Sequence, residues 1–204
     1  MAIGKAGRGT GHLGGVLGTA TGLRQVATRG YFADTLTAFT GTANAQTYHY
    51  ARDDITSLQV GWPGFYVDSS GVEHANTGVN TINAAVWYNG TAYRLKFGGA
   101  VTGTTPSNGF LISDPLSINI PSGAKFYIRS FSQFSVASLS RMLSTNTRDV
   151  ANGDAVDFNA VDETMSGTIT DFGGNVSMTW PALILGRSSK PAVLIVGDSR
   201  SIGD

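Results

Sequence analysis

Apolar and polar residues alternate with a period of two along much of this chain, the spacing of a strand that buries one face. Ile55-Thr56-Ser57-Leu58-Gln59-Val60-Gly61-Trp62 reads as such a strand and stops at the turn pair Pro63-Gly64. Ile82-Asn83-Ala84-Ala85-Val86-Trp87-Tyr88 runs into Asn89-Gly90, and Thr91-Ala92-Tyr93-Arg94-Leu95-Lys96-Phe97 runs out of it. Asn-Gly between two such runs predicts a hairpin, because both central positions of a type I′ turn need φ > 0. After the break at Gly98-Gly99, Phe110-Leu111-Ile112-Ser113-Asp114-Pro115 is a short strand closed by proline. Leu116-Ser117-Ile118-Asn119-Ile120 alternates, Pro121-Ser122-Gly123 turns the chain, and Lys125-Phe126-Tyr127-Ile128-Arg129-Ser130-Phe131 is the next strand. Val136 to Leu143 suits one or two helical turns. Arg148 to Glu163 reads as a long acidic loop, and Thr168 to Trp180 returns to the strands. Strands at regular spacing with turn chemistry between them predict a mainly β protein, a β-sandwich of jelly-roll type over residues 31–186.

Both flanks break the pattern. Residues 1–30 are Gly-rich, positive at Lys5, Arg8, Arg24 and Arg29, and without periodicity. They read as an extended arm that other proteins would hold, since glycine allows close backbone approach. At the far end, Arg187 to Lys190 reads as a linker. Pro191-Ala192-Val193-Leu194-Ile195-Val196 follows it as an apolar run without alternation. Both faces of such a strand need cover, which suits a parallel sheet rather than a sandwich. The fold class is therefore expected to change near residue 190, with residues 187–204 opening an α/β unit.

Composition supports the β reading. Only 14% of the 204 residues are charged and 27 are glycine, whereas helical bundles want Leu, Glu, Lys and Ala. Net charge is zero and cysteine is absent. There is thus no general case for nucleic acid or an anionic membrane as partner, and thiolate metal sites and disulfides are excluded. No apolar run reaches the ~18–20 residues of a membrane span. Glycines interrupt the N-terminal segment, so no secretory signal is expected there.

The sharpest chemical feature is Gly197-Asp198-Ser199 directly after the final apolar run, with Gly203 close behind. A strand running into a tight turn exposes a serine hydroxyl, and a following helix N-terminus would offer N–H groups to an oxyanion. With these residues the sequence resembles the first block of the SGNH, or GDSL-type, hydrolases. The strands upstream also resemble the β-sandwich that precedes the hydrolase domain in some carbohydrate-directed members. The similar features are Ser113-Asp114-Pro115, then Ile118-Asn119-Ile120-Pro121-Ser122-Gly123, and Leu183-Ile184-Leu185-Gly186. The resemblance implies Ser199 as nucleophile and, through its N–H, oxyanion donor. It implies a turn-holding role for Asp198 and turn or packing roles for Gly197 and Gly203. The family's later blocks, a Gly, a Gly-x-Asn-Asp and an Asp-x-x-His, do not follow Ser199 in these 204 residues. The expectation is an inert piece: an accessory region plus the first strand of a longer protein's catalytic domain.

Other candidates are weaker. Trp62, Tyr66, Trp87, Tyr88 and Tyr93 would stack on sugar rings if they shared an exposed face; strand aromatics more often fill cores. Asp149, Asp154, Asp157, Asp162 and Glu163 lack the spacing of a Ca²⁺ loop and read as solvated. His12, His49 and His74 show no metal-ligand spacing and read as structural. No metal or cofactor is expected.

Two functional readings remain. One is a GDSL-type esterase of acylated carbohydrate, with this chain as its N-terminal part. The other is a virion component, such as a phage tail fibre, spike or head fibre. The two are compatible. The Gly-rich arm, low charge, absent cysteine and absent signal favour a virion protein. It would be a homo-oligomer joined to other virion proteins through residues 1–30 and directed at cell-surface polysaccharide. The alternatives are a non-viral esterase's accessory domain, or a purely structural or carbohydrate-binding sandwich.

Overall fold

In a computed structural model, residues 22–30, 35–36, 41–68, 70–76, 78–135, 140–141, 148–158, 160–173 and 179–188 are described. They form β1 (Gly22–Gln25), β2 (Thr35–Leu36), β3 (Gly41–Tyr50), β4 (Ile55–Pro63), β5 (Phe65–Val67), β6 (Glu73–Ala75), β7 (Val79–Tyr88) and β8 (Thr91–Arg94). Then follow β9 (Thr102–Thr104), β10 (Phe110–Ile112), β11 (Leu116–Ile120), β12 (Lys125–Ser135), β13 (Ser140–Arg141), β14 (Ala155–Phe158) and β15 (Leu183–Ser188). A 3-10 turn at Val150–Asn152 precedes β14, and no α-helix occurs among the described residues.

Two antiparallel sheets carry the fold. The first runs β1-β15-β4, and β10 and β11 lie end to end along the far side of β4. The second runs β14-β3-β12-β7, and β8 and β9 lie end to end along the far side of β7. The chain enters the first sheet at β1, crosses to β3, returns at β4 and crosses again for β7, β8 and β9. It then supplies β10 and β11 to the first sheet, β12 to the second and β15 to the first. With each end-to-end pair taken as one strand position, this is the connectivity of a jelly roll, as the strand pattern predicts. β14 is an addition at the edge beyond β3.

The hairpin prediction holds in detail. β7 and β8 pair across Asn89 and Gly90, whose φ values are 50° and 74°. Five segments differ from the sequence reading. Thr168 to Trp180, expected to return to the strands, carries no strand in its described residues, 168–173 and 179–180. Gly22–Gln25, placed in the arm, is a strand of the first sheet, paired with β15 in the register Gly22↔Ser188 to Gln25↔Leu185. The sandwich therefore begins by Gly22 and extends to Ser188, beyond 31–186. Gly41–Tyr50 is a long strand that the apolar pattern does not reveal, since its core-facing residues are Ala43, Ala45, Thr47 and His49. The supposed acidic loop contains β14, paired with β3. Where helical turns were expected, Ser140–Arg141 is a strand paired with Thr35–Leu36; residues 136–139 and 142–143 lie outside the described residues. So do residues 1–21, the rest of the arm, and residues 189–204, the expected start of an α/β unit.

The core lies between the sheets. Ile55, Leu58, Val60, Trp62, Ile118, Ile120 and Ile184 from the first sheet form one cluster with Ile82, Ala84, Val86, Phe126 and Ile128 from the second. Full burial of a Val, Ile, Leu or Phe side chain stabilises by about 1.5–3 kcal/mol each. Cross-strand register places Ile128 between Thr47 and Val86, and Phe126 beside His49. His49 is completely buried, with its ring 5.7 Å from that of Phe126. Its Nδ1 donates to the Thr28 carbonyl at 2.7 Å, so Nε2 accepts the Thr47 hydroxyl proton at 2.7 Å.

The outer face of the second sheet is covered by residues 160–167, held through their backbone. Thr42 donates to the Ala160 carbonyl, Asn44 to Val161 and Trp87 Nε1 to Thr164, at 2.6–2.8 Å. Arg129, at the centre of this face, donates to the carbonyls of Glu163, Ser166 and Gly167. Backbone groups that cannot join a sheet ladder thus find side-chain partners, which buried amides and carbonyls require.

Candidate functional site

Ser199, Gly197, Asp198 and Gly203 lie outside the described residues. The aromatic candidates are described, and the fold separates them. Trp62 is fully buried, packed edge-on at 5.9 Å against Phe97; its parity on β4 sends it into the core, so it contacts no glycan. Trp87 points the other way, onto the covered outer face. The Arg129 guanidinium lies 3.9 Å from its ring centroid and Thr164 takes its N–H. Trp87 is thus part of the anchor of residues 160–167 and remains half-buried. Tyr66 stacks at 5.0 Å on His74 in the separate β5–β6 ribbon. Of these aromatics, Tyr88 and Tyr93 lie on a groove.

That groove occupies the open side of the sandwich, where edge strands β8 and β11 face each other. A depression of 340 Å³ is lined by Tyr88, Asn89, Thr91 and Tyr93 from the hairpin and by Ser117, Ile118 and Asn119 from β11. An adjoining one of 450 Å³ shares Tyr88 and Asn119 and continues past Asp54, Thr56 and Pro121. The sequence builds it directly. Along β7 the inward positions are Ile82, Ala84, Val86 and Tyr88; the first three are buried and Tyr88, at the strand's end, is half-buried. Tyr93 pairs with Val86 and so shares that inward face. Both rings pack on the rim of the core. At the other end of the same edge, Gly103 lets β9 close on Phe97 and Leu111, where a Cβ would come within 2.6–2.9 Å. Small residues close one end of the edge, and tyrosines hold the other end open.

Three further polar clusters are structural. Arg29, with φ 64°, grips Asp154 through two parallel bonds of 2.9 and 2.6 Å. Asp154 also accepts the N–H groups of Tyr48 and Asp149, at 3.0 and 2.8 Å. The guanidinium lies 3.9 Å from the Tyr48 ring centroid and 4.7 Å from that of Trp180. Burial raises the Tyr48 phenol above its usual range; Arg29 opposes this, and the hydrogen bond to Asp149 adds to it. The Asn152 side chain, donating to Asp149, does most to hold that carboxyl low.

Within residues 160–167, burial pulls Asp162 upward, but hydrogen bonds from Thr164 and Asn83 outweigh it and keep the carboxyl below its usual range. Burial lowers Arg129, and Glu163 opposes the shift. The carboxylates of Asp149, Asp154 and Asp162 therefore belong to the fold's hydrogen bonding, although Asp162 stays exposed, and Glu163 joins it through its backbone. No cluster able to hold a metal ion occurs among the described residues.

The third cluster is in the ribbon. His74 Nε2 donates to Asp68 at 2.7 Å, and that bond is the main cause of Asp68's lowered pKa. Asp68 also accepts N–H groups from Ser70 and Val72, which folds the turn. No serine or threonine hydroxyl bonds to this His–Asp pair among the described residues, so it shows no activated nucleophile.

Compared with known proteins, the chain matches no family model and none of the curated proteins.

Proposed function

We propose that this jelly roll is the non-catalytic accessory domain of a virion fibre or spike protein whose hydrolytic unit opens with Pro191 to Ser199. That unit is a GDSL-type esterase acting on acylated surface polysaccharide, with Ser199 as its nucleophile. One observation carries most of the weight. All the jelly-roll strand positions are filled by residues up to Ser188, with β15 set between β1 and β4. A second apolar run so soon afterwards is not needed by this sandwich, which supports reading it as the first strand of another unit. The Gly-Asp-Ser turn gives that unit its chemistry. Jelly rolls recur in capsid proteins and lectins, so the fold is compatible with a particle-bound, glycan-directed role without demanding it.

The test is ester turnover by the native protein on p-nitrophenyl acetate, against the same protein carrying Ser199→Ala. The expected result is a loss of about a thousandfold or more, as for removal of other serine nucleophiles. The 204-residue chain alone is expected to be inert. Absence of turnover in the native protein, or turnover that survives Ser199→Ala, overturns the esterase reading. Peptides of this chain absent from purified particles overturn the virion reading.

A further inference from the structure

The groove between β8 and β11 combines three properties that the fold itself does not need. First, its aromatic floor is amphipathic. Tyr88 and Tyr93 are half-buried, with their rings against the rim of the core. Phenylalanine or leucine would fill that rim equally well, whereas tyrosine adds a hydroxyl at a wet boundary. Second, the surrounding polar groups face solvent and are free to meet a ligand. The hydroxyls of Tyr88, Tyr93, Thr91 and Ser117 and the side-chain amides of Asn89 and Asn119 make no hydrogen bond to protein among the described residues. Third, no ionisable group other than the tyrosines lines the 340 Å³ depression. Asp54 borders only the adjoining one, where its carboxylate already accepts the Ser122 N–H at 2.8 Å.

A ligand suited to this wall is neutral, has an apolar face to lie against a tyrosine ring, and carries adjacent hydroxyls. Each primary amide offers both donors and an acceptor, which matches a pair of vicinal hydroxyls. Depressions of this size are in the range of small-ligand sites, which combine apolar surface with a few placed polar groups. The hairpin is also pre-organised: Asn89 and Gly90 occupy the left-handed conformations of a two-residue turn, so little ordering entropy is lost on binding.

We propose that this groove is a binding site for a neutral saccharide unit of a surface glycan. Tyr93 and Tyr88 form the stacking floor, and Asn89 and Asn119 are the hydroxyl-reading groups. The site would hold the protein on its polysaccharide. It rests on the reading above only in taking a surface glycan as the source of the sugar.

The test is a titration of the isotope-labelled 204-residue chain with underivatised oligosaccharides, followed by amide NMR shifts. The panel is maltotriose, cellotriose, mannotriose, galactotriose and N,N′,N″-triacetylchitotriose. At least one is expected to give saturable shifts centred on residues 88–93 and 117–119. Asn119→Ala, an exposed change that leaves the core intact, is expected to weaken binding about five- to tenfold, the loss of one or two neutral hydrogen bonds. Tyr93→Ala is expected to abolish it, while Tyr93→Phe, which keeps the ring, retains most of it. No saturable shift with any of the sugars overturns the proposal, as do shifts elsewhere or an affinity indifferent to Asn119→Ala. Concentration-dependent shifts of the same residues without sugar would assign the groove to a second copy of the chain and overturn it too. These sugars carry no ester. Failure here leaves the esterase reading standing, and failure of ester turnover leaves this site standing.

Discussion

Acidification should destabilise this protein well above the pH at which its carboxylates titrate, and His49 is the reason. Its ring is sealed between the sheets. Burial pushes its pKa from 6.5 down to about 3; the Thr28 carbonyl, which favours the protonated ring, opposes the shift, and the Arg29 charge adds to it. Folded His49 is therefore neutral throughout the mildly acidic range, whereas in the unfolded chain it takes up a proton below about pH 6.5. Between these pKa values the unfolded state binds one proton more, so stability rises with pH and falls on acidification. The slope is about 1.4 kcal/mol per pH unit. From pH 6.5 to 4.5 the loss is about 2 kcal/mol, because the unfolded ring is only half protonated at the start of the window; that is large against the ~5–15 kcal/mol that holds a typical domain together. Asp68, Asp149 and Asp162 have depressed folded pKa values. Their stabilising contributions are present above the unfolded carboxylate pKa and are lost as pH falls through the folded one, mostly below this window. Urea unfolding at pH 7, 6, 5 and 4.5 measures the slope. The same series on His49→Asn is the control. Asn keeps a donor near Thr28 but does not titrate, so this variant should start about 1–3 kcal/mol less stable at pH 7 and lose the slope. An unchanged slope in His49→Asn would refute the reasoning. So would a ring that titrates near pH 6.5 in the folded protein by NMR.

Two further substitutions test the packing. Asp154→Ala leaves Arg29 buried against Tyr48 and Trp180 without its bidentate partner, and thermal or urea unfolding should show a loss of about 3–5 kcal/mol; a loss below about 1 kcal/mol would mean that water replaces the carboxylate. Gly103→Ala sets a Cβ 2.6 Å from Phe97 Cγ and 2.8–2.9 Å from the Leu111 methyls. It should cost about 1–3 kcal/mol by urea unfolding, while a neutral result would show that the β9–β10 edge is looser than its geometry.

The sequence by itself determined the class of fold and several of its joints. Alternation at Ile55 to Trp62, at Leu116 to Ile120 and at Lys125 to Phe131 marks strands because apolar residues on every second position have one place to go. Asn89-Gly90 marks its turn because few other pairs tolerate two left-handed residues. The alternation does not reveal β3, since Ala43, Ala45, Thr47 and His49 carry too little apolar surface to register. They are core residues because β12 and β14 bracket their strand, which is a fact of pairing rather than composition. The same holds for β1: Gly22–Gln25 is a strand through its pairing with β15, more than 150 positions away in the chain.

Only the tertiary structure decided which aromatics meet solvent. Trp62, Trp87 and Tyr88 all sit on strands and look alike in the sequence. Strand parity sends Trp62 into the core, while Trp87 faces the other side of its sheet, half-buried beneath residues 160–167. Tyr88 lies at the end of an inward row, where two edge strands stand apart. Exposure there follows from how the sheets end and what crosses them, and a period of two residues carries no information about either.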